Sequence, residues 1–582
     1  METLSEIPHS VLAAGWVPFT VMLLVAVVFS FVYVMWYRSV HSGERSCSAT
    51  FISIISMTAT LLTSILVPVD VFLVSFMKEA NGTYKPWAEN AELRASVEDS
   101  VLYAYYTCYG IILAFAFVIL PITYFYHMDA DLEDDDSDLP TAPPLEGEAS
   151  AATDVEYRSR SSKLCRALKY ELACLIVFAG LILVGIFVPM GDSPSPPHNL
   201  TTWQKIEFII EHEFGEAEKG QNLMVFILNV LNVVGMFFLI LYTGFGLSTL
   251  PIGMIRGHRG SVHYRRRRID AELRAIESEI AEIQERWARG PIGGVQHFEQ
   301  VQVERLEQQS RLLRRTQRDL DQTGKSCVNR IIAFLRPFQV IFGILFAVFG
   351  FLIFVSLLLT SVDKAMHSLG PLNGYVLLNG TLPNPADIAL VYAQDIYPLD
   401  YLLYLGFVVF LLFCSVSGLK NLGIRFCWIR VYEIKASATK PQALSLMCLF
   451  LILVNLALNV VMFSVAPDYT TFGSQHYLAN VTVGNTTEYV TKLCKDVPMT
   501  KMDPLPEDCN MSRIAYLSLA FHSTAWIFGA AYFWLIWLFL VVILVGSLIT
   551  IFRKKTYNSN GEHDLDDEDE LLNPSNPFST DD

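Results

Sequence analysis

Charge is scarce in this sequence, and the gaps between its charges are long. Asp, Glu, Lys and Arg make up 17% of 582 residues, against 52% apolar and 12% aromatic residues and a mean hydropathy of +0.38. That balance excludes a soluble multidomain protein. There is no GxxxxGK[ST] phosphate loop, no HExxH and no Cys/His ligand cluster. ATP hydrolysis and zinc chemistry therefore have no motif, and a non-enzyme with no metal and no covalently bound cofactor is expected. No Lys or Arg precedes the first apolar run and no clear small-residue cleavage site ends it, so removal of that run as a signal peptide is not expected.

A hydrocarbon core about 30 Å thick needs roughly 20 apolar residues as helix. Nine runs qualify, approximately Val11–Trp36, Phe51–Phe76, Val101–Tyr126, Tyr170–Met190, Leu223–Leu250, Phe338–Leu359, Tyr401–Leu419, Ala443–Val465 and Ile527–Phe552. All 42 Lys and Arg residues lie outside them, as the cost of a cation in lipid requires. The expected fold is all-α, a polytopic membrane protein with about nine transmembrane helices. Spans one to three fall in 1–126, an acidic cytosolic loop in 127–169, and spans four and five in 170–250. A cytosolic coiled-coil-like helical hairpin fills 251–337, spans six to nine fill 338–552, and 553–582 is an acidic cytosolic tail.

Arg38 directly after the first span, with no basic residue before it, puts the N-terminus on the luminal or extracellular side. Nine crossings then leave the C-terminus in the cytosol. Outside the long loop 251–337, the assigned cytosolic segments hold 15 Lys and Arg against 10 in the luminal ones, which is modest support. A separate test comes from the N-x-S/T acceptors, which are modified only on the luminal face. Asn81, Asn199, Asn379, Asn480, Asn485 and Asn510 all fall in segments assigned as luminal. Cys494 and Cys509 are the luminal cysteines among ten; they share one loop and are expected to pair, two free thiols being the alternative.

The formal charge of −16 is local: nine carboxylates lie between Asp129 and Glu148 and nine between Glu562 and Asp582. These are solvated segments, and no nucleic-acid partner is expected. Ile269, Leu273, Ile276, Ile280, Ile283 and Trp287 alternate steps of four and three, the seam of a coiled coil. After the break at Gly290 to Gly294, Leu306, Leu313 and Leu320 continue a looser seam, so an antiparallel hairpin is expected that packs on itself or binds a partner. Arg256, Arg259 and Arg265 to Arg268 form a cluster that anchors topology or attracts anionic lipid headgroups. In the tail, Asp567 with Leu571 and Leu572 makes an acidic dileucine pattern, and Asn576-Pro577-Phe578 follows. An acidic residue with paired leucines suits a site of one basic patch and one apolar pocket, and an Asn-Pro turn presents a Phe to a small groove. Both resemble endocytic sorting signals, which point to a clathrin adaptor as partner.

One ionisable residue interrupts a span. Asp70 lies two residues after Pro68, roughly two turns from the luminal end of span two. Intramembrane carboxylates mark transport pathways or proton relays, or else bond structurally to neighbouring helices; both readings stand. Asp400 and Glu171, at span ends, are expected to meet water or headgroups.

Thr63 to Lys78 with Asn81-Gly82-Thr83, Tyr242 to Pro251, Tyr397 to Tyr401, Pro441 to Leu444 and Gly473 to Tyr477 together resemble the limb-region-1-like membrane protein family. These stretches are spread over most of the chain, while 129–155 and the extreme tail are its weak spots, where relatives are expected to vary, so the sorting signals rest on this sequence alone. The resemblance implies a lysosomal membrane protein, present in the plasma membrane and endoplasmic reticulum in transit. It implies assistance to the export of cobalamin, the transported ligand, together with an ABC-type transporter that supplies ATP hydrolysis. It also implies a second role as clathrin adaptor in insulin receptor endocytosis. The alternatives are a cell-surface receptor or endocytic adaptor of the lipocalin-receptor kind, and a stand-alone transporter or channel with Asp70 as coupling site. No cobalamin-binding residue is carried over, and self-association into a homo-oligomer stays open.

Overall fold

The structure, a computed structural model, describes residues 9–39, 46–137, 149–187, 217–256, 262–288, 303, 306, 310, 311, 313, 314, 338–371, 374, 375, 377, 380–396, 398–426, 429–432, 434, 439–483, 486–496, 509–523 and 526–552. Among the described residues nine helices are long and apolar enough to cross a membrane, and they fall on the nine runs read from the sequence. The chain is an all-α polytopic membrane protein.

Spans one and two are α1 (His9–Tyr37) and α2 (Cys47–Phe76). Span three is α3 (Ala91–Ala114), a π-helical turn (Phe115–Ile119) and α4 (Leu120–Ser137) in succession. Span four is α5 (Ala149–Phe187); span five is α6 (Ala217–Phe238), a second π-helical turn (Leu239–Thr243) and α7 (Gly244–Arg256). The charged helix α8 (Val262–Ala288) follows. Span six is α9 (Gln339–His367), after which the short α10 (Pro385–Gln394) leads to span seven, α11 (Leu399–Leu422). Two small strands, β1 (Ile424–Phe426) and β2 (Ile429–Tyr432), pair antiparallel before span eight, α12 (Pro441–Val465). Between spans eight and nine lie α13 (Pro467–Thr471), the antiparallel strands β3 (His476–Val483) and β4 (Thr486–Leu493), and α14 (Arg513–Ser523). Their register sets His476 opposite Leu493 and Val483 opposite Thr486. Span nine is α15 (Trp526–Phe552).

Helix ends follow local chemistry. The Ser46 side chain caps span two by accepting the Ala49 amide at 3.2 Å. Span eight opens on Pro441, whose missing N–H is no loss in a first turn. Span seven stops at Gly423, where φ is +69°.

Burial sorts the spans into centre and rim. Within the apolar windows 78% of span eight and 72% of span two are buried, against 11% of span four and 22% of span nine. Lipid tails are as apolar as leucine, so helices meet in a bilayer through close packing and interhelical hydrogen bonds. Span eight shows both against its neighbours. Its Asn455 donates to the Thr60 carbonyl of span two at 2.7 Å, and Ser64 of span two donates to Asn459 at 2.9 Å. Gly235 of span five packs on the Leu453 carbonyl with no room for a Cβ. Spans five and seven meet the same way twice: a Cβ on Gly246 would overlap the Cys414 carbonyl, and one on Gly418 the Tyr242 carbonyl inside the π-helical turn.

Along α8, Ile269 and Ile283 are buried and Leu273, Ile276 and Ile280 half-buried, so the apolar stripe is covered. Glu277 pairs with Arg314 at 2.8 Å. Gly290 to Gly294, Leu320 and most of 289–337, where the hairpin is expected, lie outside the described residues.

Candidate functional site

The end of the bundle beyond Phe76 of span two is closed by short elements, and their first amides show how. Helix α14 begins at Ser512 as N-cap. The Ser512 amide donates to the Thr471 carbonyl at 2.9 Å, and Ala515 N–H donates to Ser512 Oγ at 3.2 Å. The two amides between them go to Asp70: Arg513 N–H to Oδ1 at 3.2 Å and Ile514 N–H to Oδ2 at 2.8 Å. All the early orphan donors of the helix are thereby satisfied, and a carboxylate faces the positive end of its dipole. Arg513 closes the rim by pairing with Glu98 of α3.

Helix α13 is held in the same manner. Pro467 has no N–H, and the next two amides, of Asp468 and Tyr469, donate to Asp387 Oδ2 and Oδ1 at 3.0 and 2.7 Å. Asp387 sits on α10, whose N-cap Asn384 accepts the Ala386 amide at 3.1 Å while its Nδ2 donates to the Val465 carbonyl of span eight at 2.7 Å. Asp363 of span six accepts the Thr381 amide at 2.7 Å and the Leu382 amide at 3.3 Å, and His367 approaches it at 2.8 Å. Gln475 ties this layer to span two, donating to the Val74 carbonyl at 3.1 Å and accepting the Asn510 amide at 2.8 Å. Cys494 and Cys509, with Cα atoms 5.9 Å apart, form a disulfide beside it.

Four carboxylates in this layer, Asp70, Asp363, Asp387 and Asp400, are 3% exposed or less. Burial and the neighbouring Asp468 carboxylate push Asp387 above the ordinary carboxylate range, outweighing the two N–H bonds and Lys495, which pull it down. Among the described residues no group of three or more His, Cys, Asp or Glu is placed to hold a metal ion. The arrangement holds chain segments: its acceptors are engaged by backbone amides and by the side chains of Thr381, His367 and Tyr469.

The expectation that Asp400 and Glu171 meet water is corrected. Asp400 is buried and accepts the Tyr469 hydroxyl at 3.3 Å, because α13 folds back over the start of span seven. Glu171 is 1% exposed; its helix α5 packs along α4, and the neighbouring Tyr170 ring meets Phe125 at 5.4 Å.

Of the acceptor asparagines, Asn81 is exposed in a tight turn, its Oδ1 accepting the Thr83 hydroxyl at 2.7 Å. Asn510 is half-buried, its Nδ2 directed at Met77 Sδ at 3.7 Å and its Ser512 fully buried. Asn480 lies on β3 opposite Tyr489. Asn199, Asn379 and Asn485 fall outside the described residues, as do Asp567, Leu571, Leu572, Asn576, Pro577 and Phe578. Asn81→Gln is expected to shift electrophoretic mobility by one glycan, whereas Asn510→Gln should leave it unchanged. A shift with Asn510→Gln alone would reverse that assignment.

Asp387, Asp363 and the Asn455 and Asn459 pair were not legible as a set. A usable signal exists for the last: two amides four residues apart in an otherwise apolar span mark one helix face. The carboxylates 363 and 387 carry no comparable local pattern.

The pattern of the LMBR1-like membrane protein family matches residues 153–334. Over 97% of its length the chain is 36% identical to a Nematostella vectensis protein described as a probable lysosomal cobalamin transporter, 99% of which is covered. It is 34% identical to the lysosomal cobalamin transport escort protein LMBD1 of Danio rerio, over 95% of this chain and 96% of that one. The Mus musculus protein of the same description is 34% identical over 96% and 98%. No solved structure matches the chain.

Proposed function

The chain belongs to the LMBR1-like membrane protein family, and from that membership we propose that it assists cobalamin export from lysosome to cytosol as an escort of the transport machinery. The observation that carries this is similarity along nearly the whole chain to proteins described as lysosomal cobalamin transporters or transport escorts. The partner is an ABC-type transporter of the lysosomal membrane, which would bring the ATP hydrolysis for which this sequence has no motif. The disulfide and Asn81 support a luminal assignment for the layer around Asp70. In cells lacking the chain, free cobalamin should accumulate in lysosomes; normal release would overturn the reading.

The stand-alone transporter is disfavoured by the engagement of Asp70 with two amides. Partner-free vesicles containing the purified chain should show no cobalamin flux. Flux abolished by Asp70→Asn would sink the escort-only view.

A second role, as clathrin adaptor for a surface receptor such as the insulin receptor, is supported by the tail signals. Changing Leu571 and Leu572 to Ala should move the chain to the cell surface, as read by surface biotinylation. An unchanged steady-state distribution would remove the dileucine reading.

A further inference from the structure

Asp387 differs from the other buried carboxylates of its layer in having a second acid beside it. Its oxygens hold the amides of Asp468 and Tyr469, so the Asp468 side chain, carried on one of the residues it grips, brings a second carboxylate into the same cluster. The cation of this cluster, Lys495, stands 3.9 Å from Asp468, with both side chains more than a third exposed to water. The elements packed on α10 add other charges. Helix α9 carries Asp363, Lys364 and His367, the first and last in mutual contact, and α11 carries Asp400 and Tyr401. Asp395 is on α10 itself.

What Asp387 grips reaches further than one turn. The carbonyls of Thr470 and Thr471 accept Ser512 Oγ and the Ser512 amide, so the N-cap of α14 rests on α13. Gln475, which binds span two and the amide next to Cys509, follows four residues after α13.

We propose that Asp387 is an acid-closed latch: on acidification it takes up a proton, the cost of burying its charge close to Asp468 is relieved, and α13 with the α14 cap and the Cys494–Cys509 disulfide is held more tightly than at neutral pH. A protonated Asp387 keeps a carbonyl oxygen as acceptor and gains an O–H donor beside the Asp468 carboxylate, and the two acids titrate as a pair. Because Asp387 is raised above an open-chain range of about 4, the closed layer binds the proton more tightly than the open one. The added stability is full below that range and is lost as pH rises through the raised value. Use of the latch in an acidic organelle rests on the lysosomal reading; the latch itself does not.

Amide exchange of the full-length protein in lipid nanodiscs, corrected for the intrinsic pH dependence of exchange, tests it at about pH 5 and about pH 8. Protection at Asp468 and Tyr469 should be about tenfold or more greater in acid, one pKa unit being a factor of ten. Asp387→Asn, which imposes the neutral form, should remove most of the difference, Asp400 on the Tyr469 hydroxyl being left in place. Asp468→Asn removes the repelling charge, leaves the backbone amides in place and should shrink the difference; it decides the matter if Asp387→Asn does not fold. Equal wild-type protection at both pH values, or a difference untouched by Asp468→Asn, overturns the latch. Neither readout involves cobalamin, so failure of the escort reading would show up separately, as normal lysosomal release.

Discussion

Replacing Asp70 with Ala is expected to cost on the order of 2–5 kcal/mol of stability, because one buried and one half-buried amide lose their acceptor together. Arg513 and Ile514 are at the first turn of α14, where no intrahelical carbonyl is available, and Ile514 is 3% exposed. Water cannot replace Asp70 at that position without opening the layer. Asp70→Asn keeps one carbonyl acceptor and should lose roughly half as much. Thermal unfolding of the detergent-purified variants checks the order wild type, Asn, Ala. A coupling residue would behave otherwise: Asp70→Asn would leave the unfolding midpoint unchanged and alter only transport.

The second large effect is expected at Gly418 and Gly246. These are the points where spans five and seven approach backbone to backbone, and the atom a side chain would strike is a carbonyl oxygen in each case. A flexible side chain could swing away from such a clash, but a helix carbonyl moves only if the helix does. Overpacking typically costs 1–3 kcal/mol, and a rigid backbone obstacle puts Gly418→Leu at about the upper end or beyond. In cells that should appear as loss of mature protein and retention in the endoplasmic reticulum. Gly110→Ala provides the control: nothing lies within 4 Å of its would-be Cβ, so a helix interior should gain up to about 1 kcal/mol there. If Gly418→Leu matures like Gly110→Ala, spans five and seven do not meet as described.

The nine spans were legible because lipid imposes a rule that acts locally: about twenty residues without charge. Phe51–Phe76 and Cys47–Phe76, or Ala443–Val465 and Pro441–Val465, differ by a few residues because hydropathy ends where charge or polarity begins while helices start at caps, here Ser46 and Lys440. The same rule singled out Asp70 as exceptional but left its role open between transport and structure. Its partners are amides 443 and 444 positions away, beyond any local pattern. Asp400 was misread for a related reason, since α13, which buries it, comes from the chain after span eight.

What the sequence determined by itself was therefore the membrane class, the number of spans and their approximate positions, together with the candidate tail signals and acceptor sites. What only the tertiary structure decided was where the buried polar groups go. Asp70 and Asp387 each accept the first amides of a short helix, Asn455 and Asn459 join spans two and eight, and the glycines of span five set its distance from spans seven and eight. Insertion into lipid is settled segment by segment, whereas a buried donor or acceptor must find its partner wherever the fold brings one.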